Sequence, residues 1–230
     1  MQQIPLPSVW RKTKVYVWRL HVPTLIQMEG LHKWLLKDEE KRMARFRQES
    51  DRQRFLIAHS ALNCILCQYL EITKTRLIYS ENAFGKPEVP SKAIQFNLSH
   101  SGEWVIIAVA RQHKVGVDVE SLDRGVEIEG LAKRFFSPQE SKALLTLTAA
   151  EQRLAFFRVW TRKEALLKMI GTGFATMLNT FTVSHEEQSY IVDMAHLQKD
   201  QFELIDLSLN TDKYLAVLAI DNFFELEYMV

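Results

Sequence analysis

Apolar and polar positions along the first part of the chain are typical of one strand, two helices and three further strands. Residues 15–22 alternate between apolar and polar side chains, which predicts a strand. A first helix is expected to carry Met43 and Phe46. A second is expected to begin after Ser50, because Ser50 and Gln53 fit a capping box. Its apolar stripe has helical spacing and consists of Phe55, Ala58, Leu62, Ile65 and Tyr69. Strands are then expected over 76–79, 94–98 and 104–110.

The second part of the chain predicts the same order of elements. A strand is expected over 115–120, and Ser137 and Glu140 form a capping box with a proline in the first turn. A longer helix is expected over 148–169, because Thr148 and Glu151 have the spacing of a capping box and Gly171 and Gly173 supply a stop. Further strands are expected over 181–184, 190–192, 202–209 and 214–220.

Short segments recur in the two parts in the same order, which indicates an internal duplication. The segment 96–100, for example, has a counterpart in 181–185. We therefore predict an α+β fold of two similar halves, 1–114 and 115–230, related by a pseudo-two-fold axis. Their interface would form a cleft suited to a ligand. The alternative is that such short patterns recur by chance in a chain of 230 residues.

Composition and charge exclude several classes of protein. With 47% apolar and 25% charged residues, the chain is typical of a soluble protein, and a net charge of +1 argues against a nucleic-acid partner. The longest apolar run, 104–110, is too short to span a bilayer, and the first residues lack the core of a secretory signal. Cys64 and Cys67 lie in an apolar helical pattern, so we expect reduced thiols in a core and a cytoplasmic location.

The sharpest chemical signal is the segment 115–120. Because side chains alternate on a strand, Asp118 and Glu120 should share one face while Val117 and Val119 anchor the core. Neighbouring carboxylates repel each other and fit a magnesium ion, which takes oxygen ligands. Taken alone, the pattern also fits an edge strand with two solvated acids.

A second signal lies on the helix expected over 148–169. Trp160, Glu164 and Lys168 are spaced by four and share a helical face, so Glu164 could act as a base beside a cation. A surface ion pair is the alternative. A third signal is the turn of Gly85-Lys86-Pro87, followed by the donors of 97–101, which suit a phosphate.

Taken in order, these segments resemble the 4′-phosphopantetheinyl transferases of the larger, surfactin-synthetase-activating (Sfp) type. The matching segments are Gly85-Lys86-Pro87, Asn97-Leu98-Ser99-His100-Ser101, Gly116-Val117-Asp118-Val119-Glu120, Phe135-Phe136-Ser137-Pro138 with Glu140, and Trp160-Thr161 with Lys163, Glu164 and Lys168. Each segment is short, but the ordered set spans most of the chain, and the family is built from two similar halves.

The resemblance implies a site for Mg²⁺, or Mn²⁺, on carboxylates. Asp118 and Glu120 match the metal-binding acids of the family, and Glu164 matches a further acid that binds metal or accepts a proton. Lys168 matches the lysine that holds the pyrophosphate. The implied catalytic residues are therefore Asp118, Glu164 and Lys168.

The resemblance also implies coenzyme A as the co-substrate. Lys86, Ser99 and His100 match positions that contact its phosphates, together with Lys168. Arg54 aligns with an arginine near the adenosine 3′-phosphate, in a region outside the main motifs.

The implied reaction transfers 4′-phosphopantetheine to a serine of an apo acyl or peptidyl carrier protein and releases adenosine 3′,5′-bisphosphate. The sequence does not distinguish between fatty-acid, polyketide and peptide-synthetase carriers. A binding module and a phosphohydrolase are the alternative functions. We expect a monomer without nucleic-acid or membrane partners, and a loop over 121–130 near the carrier.

Overall fold

The computed structural model describes residues 4–90, 94–173, 177–194, 201–221 and 225–229. The helices are α1 (Val22–Leu25), α2 (Lys37–Met43), α3 (Glu49–Tyr69), α4 (Ile128–Phe135), α5 (Pro138–Leu145) and α6 (Ala149–Ile170). The strands are β1 (Lys14–His21), β2 (Ser80–Glu81), β3 (Pro87–Glu88), β4 (Gln95–Ser101), β5 (Trp104–Ala110), β6 (Val115–Ser121), β7 (Phe181–Val183), β8 (Ile191–Met194), β9 (Phe202–Asp206), β10 (Tyr214–Asp221) and β11 (Glu225–Met229).

The two main sheets repeat one topology. The first sheet has the order β11-β1-β5-β4 and the second has the order β6-β10-β9. Within them, the runs β1-β5-β4 and β6-β10-β9 are antiparallel throughout. In each run a long helix, α3 or α6, separates the first strand from the other two along the chain. The predicted α+β fold of two similar halves is therefore confirmed.

The predicted correspondence between 96–100 and 181–185 is wrong. Residues Phe181–Val183 form β7, which pairs with β8 in a separate two-stranded sheet. The place of β4 is taken in the second half by β9, because β9 is the strand that flanks β10. In addition, β11 pairs in parallel with β1 and so joins the first sheet. The division at residue 114 stays a prediction.

The two sheets lie face to face between α3 and α6. On β1, Tyr16 and Trp18 belong to the core beneath α3, whereas Val15 and Val17 belong to the core between the sheets. The same alternation on β6 directs Val117 and Val119 between the sheets, as the sequence predicts. The core beneath α6 includes Ala165 and Met169, among others.

Local signals predict some element boundaries and miss others. The capping boxes at the starts of α5 and α6 are confirmed, as is the left-handed Gly171 that ends α6. The predicted cap at Ser50 is wrong, since α3 begins at Glu49 and no side chain caps it. The predicted strand over 76–79 is also wrong, because Lys74–Arg76 is a 3₁₀ turn and Ile78 is exposed. Helix α4 begins inside the predicted loop 121–130.

Cys64 and Cys67 are free, buried thiols on α3, as predicted. Burial raises the pKa of the Cys64 thiol to about 11, so it stays protonated at neutral pH. Among the described residues, no helix combines the length and the apolar character needed to cross a membrane.

Candidate active site

Polar side chains of β4 join the two halves at the seam, which is the contact between β4 and β6. They accept hydrogen bonds from backbone N–H groups of alternate β6 residues. The bonds run from Val117 to Asn97 Oδ1 (2.8 Å), from Val119 to Ser99 Oγ (3.3 Å) and from Ser121 to Ser101 Oγ (3.0 Å). Because alternate residues of a strand share a face, these side chains take the place of a backbone ladder between the two sheets.

Strand β6 turns both acids towards α6. At Gly116 on the same face, an added Cβ atom would lie 2.1 Å from the Ala165 carbonyl oxygen and 2.2 Å from the Met169 nitrogen. Only glycine therefore lets the helix lie this close to the strand. The close approach brings the side chains of α6 next to Asp118 and Glu120.

Asp118 is the most enclosed acid of the site. Asp118 is 4% exposed to solvent. Its Oδ1 atom accepts hydrogen bonds from Ser99 Oγ (2.9 Å) and Lys168 Nζ (2.6 Å). Lys168 Nζ also donates to Ser99 Oγ at 3.0 Å. Asp118 Oδ2 is buried and has no hydrogen-bond partner among the described residues. A buried, unpaired carboxylate oxygen is costly and marks a place where a cation would be favoured.

Glu120 lies one pleat further along β6 and is also buried. Its Oε1 atom accepts a hydrogen bond from Arg124 Nη1 at 2.8 Å, and its Oε2 atom accepts one from Ser101 Oγ at 3.3 Å. Burial, followed by the negative charge of Asp118, raises the pKa of the Glu120 carboxyl. A bound cation would oppose both effects.

Helix α6 supplies Glu164 and Lys168 on one face, as their spacing predicts, together with Trp160. Burial, followed by the charge of Asp118, raises the pKa of the Glu164 carboxyl. Within the described part of the chain this carboxyl makes no hydrogen bond. It is therefore an acid with a raised proton affinity that is available to a ligand.

The predicted residues meet in one open cleft with a volume of about 560 Å³, a size typical of small-molecule sites. Its walls include seven of the eight predicted site residues: Arg54, Ser99, His100, Asp118, Glu120, Glu164 and Lys168. The structure therefore brings together residues that lie more than a hundred positions apart in the sequence.

Arg54 and His100 lie together at the far end of the cleft. The Arg54 guanidinium contacts Asp51 and donates to the Gly102 carbonyl at 2.9 Å, which holds it at the β4–β5 turn. His100 is exposed on the cleft wall, yet partial desolvation of the imidazole by its surroundings, followed by the charge of Arg54, lowers the pKa of its side chain. A ring that is neutral at pH 7 can still donate one hydrogen bond.

Lys86 is the predicted site residue that does not reach this cleft. Its Nζ atom donates to the backbone carbonyls of Val115 and Met169, each at 3.2 Å. Burial lowers the pKa of this lysine to about 8. It lines an adjoining cavity of about 290 Å³, which shares Leu98, Glu164 and Lys168 with the cleft.

Two features of the site are absent from the sequence-based prediction. Arg124 lies inside the segment expected to be a loop, and its only sequence signal is its position four residues after Glu120. Ser101 was expected to be a phosphate donor, yet its hydroxyl bridges the seam to Glu120 and Ser121. Neither contact follows from a periodic pattern.

The arrangement fits a magnesium ion that takes only part of its coordination from the protein. Asp118 and Glu120 offer carboxylate oxygens on one face, and Asp118 Oδ2 lacks a partner. Within the described residues, no group of three or more His, Cys, Asp or Glu side chains is arranged to hold an ion alone. Magnesium commonly combines one or two carboxylates with water and substrate phosphate oxygens.

Two family models match consecutive parts of the chain. The model described as "4'-phosphopantetheinyl transferase, N-terminal" matches residues 18–112, and that of the 4'-phosphopantetheinyl transferase superfamily matches residues 114–218. Together they cover most of the sequence and meet between β5 and β6.

Two individual relatives agree with these matches. The chain is 34% identical to the 4'-phosphopantetheinyl transferase HetI of Nostoc sp., over 71% of each protein. It is 31% identical to the 4'-phosphopantetheinyl transferase gsp of Aneurinibacillus migulanus, over 68% of this chain and 64% of that protein. A solved holo-[acyl-carrier-protein] synthase from Thermotoga maritima superposes with a TM-score of 0.36 at 21% identity, over 50% of this chain and 64% of that one.

The fold has two similar halves with a cleft at the seam between them. The chain belongs to the 4'-phosphopantetheinyl transferase superfamily, and it is an enzyme of that class.

Proposed function

We propose that this enzyme transfers the 4′-phosphopantetheine arm of coenzyme A to a serine of an apo acyl or peptidyl carrier protein. Adenosine 3′,5′-bisphosphate is the other product. The observation that carries the proposal is that the two acids of β6 and the Glu164–Lys168 face of α6 line the same cleft. Membership of the family supports the same reaction class.

Asp118 and Glu120 are proposed to hold Mg²⁺, or Mn²⁺, with Glu164 as a third candidate ligand. The unpaired Oδ2 atom of Asp118 supports this assignment. The bound ion would lower the negative charge of the coenzyme A diphosphate.

Lys168 is proposed to stabilise the adenosine 5′-phosphate of the diphosphate as the bond between the pantetheine-bearing phosphorus and the bridging oxygen breaks. Its side chain is 30% exposed and its ammonium lies beside Asp118, so a small rotation would direct it into the cleft. Positive charge at the departing phosphate is the main contribution that a protein makes to phosphoryl transfer.

Glu164 is proposed to accept the proton of the carrier serine. As the serine oxygen attacks the β-phosphorus, the phosphorus–oxygen bond to the adenosine bisphosphate breaks and the serine proton passes to Glu164. The raised pKa of this carboxyl supports the role, because a base works best when its pKa approaches the working pH.

The far end of the cleft is proposed to bind the adenosine phosphates through Arg54 and His100. Ser99 is a weaker candidate, since its hydroxyl already contacts Asp118 and the Val119 N–H group. Lys86 would contact a phosphate only after its ammonium leaves the Val115 and Met169 carbonyls. We also propose that the enzyme is cytoplasmic. We propose a monomer because residues from both halves of one chain line the cleft.

The test is to incubate the enzyme with coenzyme A, Mg²⁺ and an apo carrier, and then to measure the mass of the carrier. A gain equal to one phosphopantetheine phosphodiester supports the transfer. Breakdown of coenzyme A without a modified carrier would instead establish a hydrolase. Coenzyme A binding with neither change would establish a binding module. Acyl, polyketide and peptidyl carriers tested in parallel identify the partner class.

A further inference from the structure

Each acid of β6 is already paired with a cation of the chain. Lys168 Nζ lies 2.6 Å from Asp118 Oδ1, and Arg124 Nη1 lies 2.8 Å from Glu120 Oε1. A metal ion that enters the site must therefore compete with two cations of the protein. Lys168 already has an assigned role, whereas nothing in the sequence motifs accounts for Arg124.

The backbone at Arg124 is held in place from α6. Arg153 donates from Nε to the Leu122 carbonyl at 2.5 Å and from Nη2 to the Arg124 carbonyl at 2.7 Å. The Arg124 N–H group also donates to the Ser121 carbonyl at 3.2 Å. These bonds hold the backbone of Arg124 in place beside the cleft.

The guanidinium of Arg124 is free to exchange partners. Its side chain is 55% exposed, whereas the side chain of Glu120 is 10% exposed. Among the described residues, Glu120 is its one side-chain partner. A pair with one exposed member is weak, and rotation about side-chain bonds suffices to break it. The planar guanidinium also matches phosphate oxygens, which it can bind through two parallel hydrogen bonds.

We propose that Arg124 is an exchangeable counterion of Glu120 that couples metal binding to coenzyme A binding. Without nucleotide, Arg124 pairs with Glu120. When coenzyme A fills the cleft, Arg124 turns to its phosphates and frees Glu120 Oε1 for the metal. The inference rests on the proposed function, which supplies both ligands. Because coupling is reciprocal, each ligand raises the affinity for the other by one common factor, to which Arg124 contributes.

The experiment measures Mn²⁺ binding by electron paramagnetic resonance, with and without saturating coenzyme A. The variants are Arg124→Gln, which removes the counterion, and Arg124→Lys, which keeps a cation at this position. Lys133→Gln is the matched control, because it breaks an exposed pair with Glu129 (3.7 Å) on the same half, away from the cleft. Thermal melts establish that each variant is folded.

Without coenzyme A, Arg124→Gln should bind Mn²⁺ about two- to fivefold more tightly than the wild type, the range of a partly exposed ion pair. Its coupling ratio, the Mn²⁺ affinity with coenzyme A over that without it, should fall. Arg124→Lys should lie closer to the wild type, and Lys133→Gln should match it.

Wild-type Mn²⁺ affinity in Arg124→Gln without coenzyme A, or an unchanged coupling ratio, would overturn the inference. That result would leave the proposed function intact if the wild type still modifies the carrier. If the wild type neither binds Mn²⁺ nor modifies any carrier, the proposed function fails and the inference fails with it.

Discussion

Helix α6 carries two lysines that each contact a carboxylate, yet their surroundings are opposite. Lys163 Nζ lies 2.8 Å from Glu140 Oε2, and both side chains are 1% exposed. The remaining polar atoms of this pair are satisfied by the backbone. The partners are the Leu178 and Phe181 carbonyls for Lys163, and the Ser137 and Val183 N–H groups for Glu140.

The pair of Lys168 and Asp118 is incomplete by comparison. Asp118 Oδ2 has no partner in the described part of the chain, and Lys168 is partly exposed to the cleft. A lysine and a carboxylate thus form both pairs. In the core pair every polar atom is hydrogen-bonded, whereas in the cleft pair one carboxylate oxygen lacks a partner among the described residues. The difference distinguishes a structural ion pair from one that we propose to act in the site, although both lysines lie on the same helix.

The largest expected effect follows from removing the charge of the incomplete pair. Asp118→Asn should lower the rate of carrier modification by at least about a thousandfold, roughly 4 kcal/mol, because the proposed metal site would lose a ligand. Its free energy of unfolding should change by at most about 1 kcal/mol, since Lys168 remains solvated. Carrier mass and urea denaturation measure the two quantities. Near wild-type transfer by the folded variant would contradict the assignment.

The complete pair should respond in the opposite way. Glu140→Gln should lower the free energy of unfolding by about 3–5 kcal/mol, because Lys163 would be left buried and unpaired. Urea denaturation checks this. Glu129→Gln is the control, since its pair with Lys133 is exposed and its loss should cost about 0.5 kcal/mol or less. Equal stability of the two variants would remove the structural role of Glu140.

The contact between α6 and β6 can be tested at Gly116. Gly116→Ala should cost about 1–3 kcal/mol of stability, because its methyl group would collide with the helix backbone. Transfer should fall as well, since Glu164 and Lys168 would move away from Asp118. Gly125→Ala is the matched control, because no atom lies within 4 Å of its added Cβ. Urea denaturation and carrier mass follow both variants, and similar behaviour would contradict the packing argument.

The smallest expected effect is a gain of stability. Glu164→Gln should raise the free energy of unfolding at pH 7 by about 0.5–2 kcal/mol, while transfer falls, because it removes a poorly solvated charge. The pKa of Glu164 is higher in the folded state than in the unfolded state. In the pH window between these two pKa values, the folded state therefore binds more protons than the unfolded state. Wild-type stability therefore falls as pH rises through this window.

The gain should consequently vanish below about pH 4, where Glu164 is protonated in both states. Urea denaturation at several pH values measures the difference. A loss of stability at pH 7, as expected for Glu140→Gln, would show that Glu164 is paired in solution.

Local chemistry made part of the structure predictable. The capping boxes of Ser137 with Glu140 and of Thr148 with Glu151 are contained within four residues, so the sequence reveals them. The alternation of β6 also predicts the common face of Asp118 and Glu120, since a strand fixes side-chain direction by position alone.

Contacts between distant segments were not predictable in the same way. The seam depends on side chains of β4 that accept N–H groups from β6, and no periodic pattern distinguishes these from solvated side chains. Lys86 likewise has the sequence pattern of an exposed turn lysine, but its ammonium donates to the Val115 carbonyl of β6 and to the Met169 carbonyl near the end of α6. Whether a polar residue points to ligand or to backbone depends on packing between halves, which the pattern does not contain.

The most direct test of the central claim is to titrate Mn²⁺ in the presence of coenzyme A and compare the wild type with Asp118→Asn. The claim is that Asp118 and Glu120 of β6 bind a divalent cation beside the bound coenzyme A. It predicts a tightly bound ion in the wild type and affinity weakened by about tenfold or more in the variant. Equal Mn²⁺ affinity in the two proteins would contradict it.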